Sequence, residues 1–341
     1  MPLDAQGWSM PTMKRRIVFL LAALWMGVNT PGLAQGEVKG YPSRPIRLVV
    51  PYAAGGGTDI LARQLAKHAS EILGQQVVVD NKPGAGTVLG ANEVAKAAPD
   101  GYTLLWGDSA TFAVNPHVYK KIAYDPVSSF TPVTQTIKGA LVLVASPKLG
   151  VKNVSELIAY AKSHPGKLAY GTPGNATPHH LAMEAFKLQA GGLVIQHTPY
   201  KGEAPALQDL IGGSIDVMFV GGRIAKPQAQ SGKVVVLAVA GSRRNVTLPE
   251  VPTVSDAGLK GYVSEYWHGI VVPAKTPAPI VQKLNAAFVK SMRSPELVAW
   301  LKESGAGTEW TDSTPAEMQA HIKREIKSAG ELVKSIGLTM D

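Results

Sequence analysis

The chain of 341 residues contains no cysteine. Disulfides, thiolate-ligated zinc or iron–sulfur clusters, a thiol nucleophile and a lipid-modified cysteine anchor are therefore all excluded. Charged residues make up 17% and aromatic residues 6%. The bases behind the formal charge of +9 are scattered singly or in pairs such as Lys120-Lys121 and Arg243-Arg244, with no stripe of interleaved aromatics. That pattern fits solubility and a mild attraction for anions, and it argues against a nucleic-acid face. Long hydrophobic runs are missing too: none reaches the roughly 20 residues a membrane span needs.

The first 34 residues have the build of an export signal. Lys14, Arg15 and Arg16 precede a 12-residue apolar stretch, Ile17–Val28, and Gly32-Leu33-Ala34 offers small residues for cleavage near Ala34/Gln35. Met10 and Met13 are alternative starts, and the residues around Arg15-Arg16 fit general secretion better than twin-arginine export. Export without an anchor places a free protein in a bacterial periplasm. The remaining length, with 45% hydrophobic residues in the whole chain, supports two cores of ordinary domain size.

The stretch P-Y-A-A-G-G-G-T-D (51–59) is the element around which the chain is organised. Ile46–Val50 is an apolar run of strand length, and Asp59–Leu73 repeats its apolar residues at helical spacing. Gly55, Gly56 and Gly57 free the backbone between them, and Thr58 or Asp59 can cap the helix. The expected result is a cluster of N–H groups at the positive end of a helix dipole, suited to an anion.

Strand-like and helical patterns then alternate. Strands are expected at Val77–Asp80 and Tyr102–Trp106 around a helix at Thr87–Ala98, which is βαβ rhythm and predicts a mostly parallel sheet. The prolines of 124–132 break that rhythm and mark a first crossing between domains. A second series comes next: strands at Ala140–Ser146, Leu168–Gly171, Val194–Pro199, Val217–Val220 and Val234–Ala240, with helices at Ser155–Ser163, Pro178–Gln189 and Ala204–Ile211. Its loop Thr172–Thr177 has the same strand, small-residue loop and helix logic as 51–59. A last strand, Glu265–Val272, and helices at Pro279–Met292, Glu296–Glu303 and Pro315–Ile336 return to the first domain. The expectation is an α/β protein with two domains and a hinged cleft, 41–133 with 243–341 forming the discontinuous domain 1 and 134–242 forming domain 2.

Taken together, the ordered motifs Y-P-S-R-P-I-R-L-V-V-P-Y-A-A-G-G-G-T-D (41–59), N-K-P-G-A-G (81–86), A-P-D-G-Y-T-L-L (98–105), N-P (115–116), Y-D-P (124–126), P-Y-K-G-E-A-P-A-L-Q-D-L-I-G-G (199–213), L-P-E-V-P-T (248–253) and P-A-K-T-P (273–277) carry a resemblance. The chain resembles the tripartite tricarboxylate transporter substrate-binding proteins, or Bug receptors. That resemblance implies a monomeric two-domain periplasmic-binding fold that closes on a small, usually carboxylated solute and serves a membrane transport complex, with no cofactor, metal or catalytic residue. Transferred residue by residue, it implies that a ligand carboxylate sits on Ala54, Gly55, Gly56, Gly57, Thr58 and Asp59 and on Asp108, Ser109 and Thr111. The facing domain supplies Thr172, Gly174, Asn175, Thr177, His180 and the Ala204-Pro205 turn. Where the family often shows M-F-D, this chain reads Met218-Phe219-Val220, which removes an acceptor for a ligand's ammonium or hydroxyl group and favours a carboxylate over an amino acid. Glu265-Tyr266-Trp267-His268 adds bulky polar groups able to face the cleft. Citrate-like acids, dicarboxylates, aromatic acids and small neutral solutes all remain open as ligands, as does a signalling role without a dedicated transporter.

Other motifs compete for some of these residues. Gly84–Gly90 imitates a dinucleotide fingerprint, but its spacing is off and no acid ends the next strand where one is required. Gly107-Asp108-Ser109 imitates a hydrolase nucleophile block, making an exported serine hydrolase using Ser109 the alternative function; Asp312 and His321 lack that class's spacing and no G-x-S-x-G occurs. Ser109 fits better as a hydrogen-bond donor to the ligand. His180 and Glu184 share a helix face beside His179, yet one such pair supplies two of the three protein ligands that catalytic zinc takes. His197 reads as structural, and the charged terminal helix as a solvated face.

Overall fold

Short apolar runs rich in β-branched residues make strands, and in the computed structural model they assemble into two sheets. The structure describes Met1 and residues 40–245, 247–304 and 308–340, so the expected signal segment lies outside the described residues beyond Met1. The first sheet has the order β11-β4-β10-β3-β1-β2. Its strands are β1 (Ile46–Val50), β2 (Val77–Asn81), β3 (Thr103–Asp108), β4 (Phe130–Ala140), β10 (Glu265–Pro273) and β11 (Thr308–Trp310). The second, β7-β6-β8-β5-β9, comprises β5 (Val142–Ala145), β6 (Ala169–Thr172), β7 (Gln196–Pro199), β8 (Val217–Val220) and β9 (Val235–Val239).

The parallel order holds where βαβ units build it, in β2-β1-β3 and β7-β6-β8. The remaining pairings, through β10, β4 and β11 and through β5 and β9, are antiparallel. Both sheets are mixed, because the chain enters and leaves each one through a strand and not through a crossover helix.

The helices are α1 (Gly57–Leu73), α2 (Val88–Ala95), α3 (Asn115–Val118), α4 (Val154–Ser163), α5 (Pro178–Gln189), α6 (Glu203–Gly212), α7 (Gly222–Gln230), α8 (Ala278–Met292), α9 (Pro295–Glu303) and α10 (Pro315–Ile336). Helix α1 buries Leu61, Leu65, Ala69 and Leu73, and stops at Gly74, whose left-handed backbone lets its N–H reach Ser70 O. Helix α10 opens on a capping box between Thr314 and Glu317, buries Met318 and Ile322, and turns Lys323, Arg324 and Lys327 to solvent. One apolar core runs from Leu48 and Trp106 under the first sheet to Leu143 and Phe219 under the second.

Several elements differ from the sequence reading, which also lacked β11 and the short helix α3. The break expected at 124–132 is shorter: Asp125 closes a turn by accepting Val127 and Ser128 N–H groups, and β4 begins at Phe130 with Pro132 inside it, opposite Val271. Its threonines and glutamine hide the strand from a hydrophobic scan, although Thr134 and Thr136 are buried. The chain therefore passes from one sheet to the other at Leu141. Helix α7 escapes the same scan because it opens on glycine and contains Pro227.

Asn285 on α8 shows how the C-terminal helices are tied on: its Nδ2 donates to Val133 O on β4 and to Ser313 O, both at 2.8 Å. Asn285→Leu leaves two carbonyls without that donor. A stability loss of about 1–3 kcal/mol is expected, read as a lower urea midpoint with an unchanged slope.

Candidate ligand-binding cleft

The glycine loop lies between β1 and α1 as expected, but the helix opens after Gly56 with no side-chain cap from Thr58 or Asp59, and several of the loop's groups are already engaged. Gly55 is left-handed, with φ +83°, a backbone that few residues other than glycine adopt. Asp59 is 3% exposed and turns back on the loop: Oδ2 accepts Gly55 N–H and Arg63 Nε–H, and Oδ1 accepts Asn81 Nδ2–H, each at 3.0 Å. Burial pushes its carboxyl up, but Arg63, the Gly55 N–H and Asn81 outweigh that and hold it below the usual range. Asp59 thus shapes the loop. Ala54 and Gly55 are exposed, Gly56 is buried, and Thr58 is half-buried beside the cleft.

At the end of β3, Asp108 accepts the Tyr52 hydroxyl and both the N–H and hydroxyl of Thr111. Thr111 is therefore a brace, and Ser109 stays half-buried outside the cavity lining. Trp106 Nε1–H donates to His268 Nδ1 at 2.6 Å, which leaves the His268 proton on Nε2. Burial pushes His268 down to about 4, against the opposing pull of Asp108. Tyr266 and His268 line the cleft, whereas Trp267 stacks on Phe112.

From the second sheet, the loop after β6 folds on itself. The Thr172 hydroxyl lies 3.0 Å from Gly174 O and 2.7 Å from His197 Nε2, and the Thr177 hydroxyl donates to Gly174 O at 2.8 Å. His180 points into this loop, accepting Ala176 N–H at Nδ1 and stacking on His197 at 4.0 Å. Burial, with Lys187, lowers it to about 4. Its neighbour His179 reaches the cleft. Asn175 faces Gly86, whose φ is +56°; a Cβ there would lie 2.1 Å from Asn175 O. Ala204 approaches Gly55, and Pro205 stays exposed.

Between the sheets these elements enclose a cavity of about 20 Å³, lined among others by Tyr52, Gly57, Asp108, His179, Glu203 and Arg223. That holds about one water, so the two sheets meet with little free space between them. Glu203, 7% exposed, fills the place the sequence suggests for an anion. Its Oε2 accepts Gly57 N–H at 2.7 Å, and its Oε1 accepts Gly221 N–H and His179 Nε2–H, both at 2.8 Å. Burial opposes its charge, yet His179 and the two N–H groups prevail and lower its pKa. Arg223 is half-buried over the Trp300 ring at 4.5 Å, with burial lowering its pKa and no carboxylate partner among the described residues. Sequence reasoning missed Tyr52, His179, Glu203 and Arg223 as cleft residues. Glu203 lies inside the 199–213 motif, but no local pattern shows that its side chain crosses to a helix 146 residues away.

A wider groove of about 1020 Å³, lined by Lys67, Glu71, Lys290 and Arg293, runs between α1, α8 and α9. It is open to solvent and lacks the convergent buried polar groups of the cleft.

Two α/β sheets meeting over such a cleft give the fold class of the periplasmic binding proteins. The structure of periplasmic binding protein BugD is 35% identical with a TM-score of 0.84, covering 88% of this chain and 100% of that one. The chain belongs to the tripartite tricarboxylate transporter receptor family: the model described as "Tripartite tricarboxylate transporter family receptor" matches residues 61–338. Protein BugT of Bordetella pertussis is 34% identical over 320 residues, 93% of this chain and 97% of that protein. A structure from R. palustris with adipate is 35% identical, with a TM-score of 0.84, covering 88% of this chain and 99% of its own.

The buried histidines give the stability a pH dependence. His268 and His180 bind protons near pH 4 when folded and near 6.5 when unfolded. Stability is therefore full above 6.5 and is lost as the pH falls toward 4, by on the order of 1 kcal/mol per unit per histidine. The melting temperature is expected to drop across this window. His268→Asn, which keeps an acceptor for Trp106, is expected to flatten the drop; an unchanged slope would count against a neutral, buried His268.

Proposed function

We propose that this chain is a periplasmic receptor that captures a small carboxylate between its two α/β lobes and, in closed form, presents it to the membrane components of a tripartite tricarboxylate-type transporter. The observation that carries the reading is Arg223, a half-buried guanidinium on the cleft with no carboxylate of its own among the described residues. A half-buried guanidinium held by the Trp300 ring and by no carboxylate among the described residues keeps its N–H donors for a ligand, and a ligand carboxylate completes it with charge-assisted hydrogen bonds of about 1.5–3 kcal/mol each. The family membership and the adipate bound by the R. palustris relative support the same class. Micromolar binding needs about −8 kcal/mol, within reach of Arg223, His268 Nε2–H and backbone donors. No acid–base pair is needed.

Closure is part of the proposal. The Ala53 N–H to Lys201 O bond, 3.1 Å, and the Gly86–Asn175 approach join the two sheets across the cleft. A ligand enters a more open form, and these contacts re-form around it. The hydrolase reading finds less support: Asp312 is held by Arg293 at 2.6 and 2.9 Å, and His321 packs on Trp267.

The test is a thermal-shift and calorimetric screen of carboxylates, amino acids and neutral amides, adipate included. Arg223→Ala is expected to weaken the best carboxylate about tenfold or more; unchanged affinity removes Arg223 as its reader, and binding confined to a neutral solute removes the carboxylate. Gly86→Val puts a side chain against Asn175 O and is expected to lower affinity while the protein stays folded. Solution scattering of the liganded variant should show a more open molecule than the liganded wild type; equal closure and affinity would overturn that role.

A further inference from the structure

The cleft contains a carboxylate belonging to the protein, seated where an incoming anion would be strongest. Glu203 begins α6, yet its side chain leaves that helix and takes the N–H of Gly57, the first residue of α1, and of Gly221, the residue capping α7. Two helix N-termini therefore converge on one carboxylate, which offsets their positive ends. His179, second residue of α5, adds its Nε2–H.

A second observation points to what the ligand brings. His179 is buried to 8% exposure and lines the cavity, and its Nδ1 has no hydrogen-bond partner among the described residues. With Nε2 bonded to Glu203, Nδ1 is a second ring nitrogen on the cavity with hydrogen-bonding capacity left for a ligand. Oε2 of Glu203 accepts Gly57 N–H alone among the described residues, so it too has lone-pair capacity. Asp108 is a second buried acid in the same lining. Around Arg223 the cleft therefore offers a cation; at the Glu203–His179 end it offers acceptors and negative charge.

We infer that Glu203 sets the ligand class, so that this receptor takes a small carboxylate whose far end is a hydrogen-bond donor, an amide, hydroxyl or ammonium, and turns away a second carboxylate. The inference rests on the proposed carboxylate function and goes beyond it. A ligand of this kind places its carboxylate on Arg223 and its donor on Glu203, beside His179. A dicarboxylate of the same length meets Glu203 with like charge in a desolvated site, and the helix ends that would otherwise attract it are already capped.

Chain-matched pairs isolate this effect, because an amide and a carboxylate have nearly the same shape. Calorimetry with succinamate against succinate, glutaramate against glutarate, and adipamate against adipate is carried out on wild type, Glu203→Gln and Glu203→Asp. Wild type is expected to prefer the monoamide by about tenfold or more at the best-fitting length. Glu203→Gln removes the charge and is expected to erase or reverse that preference by strengthening the diacid; Glu203→Asp keeps the charge and the preference. A wild type that favours the diacid, or a preference untouched in Glu203→Gln, overturns the role of Glu203 while leaving a carboxylate receptor in place. Binding by none of the six acids, with a neutral solute binding instead, overturns the carboxylate reading and this inference with it.

Discussion

One buried carboxylate ties the two sheets together. Glu203 joins the first helix of one sheet to two helices of the other through hydrogen bonds of 2.7 and 2.8 Å. The glycine loop is shaped around it: a Cβ on Gly57 would lie 2.9 Å from Glu203 Oε2, and one on Gly202 would lie 2.9 Å from Ala53 Cβ. Small residues along this seam allow two backbones to approach closely enough for a side chain to bridge them. A charge is tolerated at such depth because backbone dipoles and N–H donors surround it.

The rest of the cleft is arranged so that few charges oppose one another. Asp108 and Asp59 are each tied to neighbouring hydroxyl, amide or guanidinium groups. Burial keeps His180 and His268 neutral, so they act as directional donors and acceptors and not as cations. Arg223 is the cation left facing the cavity without an acid among the described residues, which gives the cleft a polarity along its length.

Two strand connections join the sheets. Strand β4 continues through Leu141 into β5, and β9 returns to β10, so each sheet receives the other's chain through an antiparallel strand. Connections of this kind bend at a few residues while the sheets stay intact.

Local chemistry made much of the architecture legible. The α5 and α10 spans and β8 follow from apolar periodicity, capping residues and proline at the helix start, because these signals act within a few residues. The glycine loop and its N–H cluster followed from the same local rules. Strand β4 stayed hidden because its polar residues are buried by neighbours distant in sequence, and α7 because glycine and proline mask it. The identity of the anion on the first helix was beyond local reasoning. His179 and His180 are adjacent, and only the packing of α5 decides that one reaches Glu203 while the other braces its own loop. The sequence by itself determined the α/β rhythm, the family motifs and the place where an anion would bind; tertiary structure alone decided which carboxylate stands there. Helix dipoles and backbone donors are set by neighbouring residues, whereas a hydrogen bond across 146 positions exists only after the two sheets have closed.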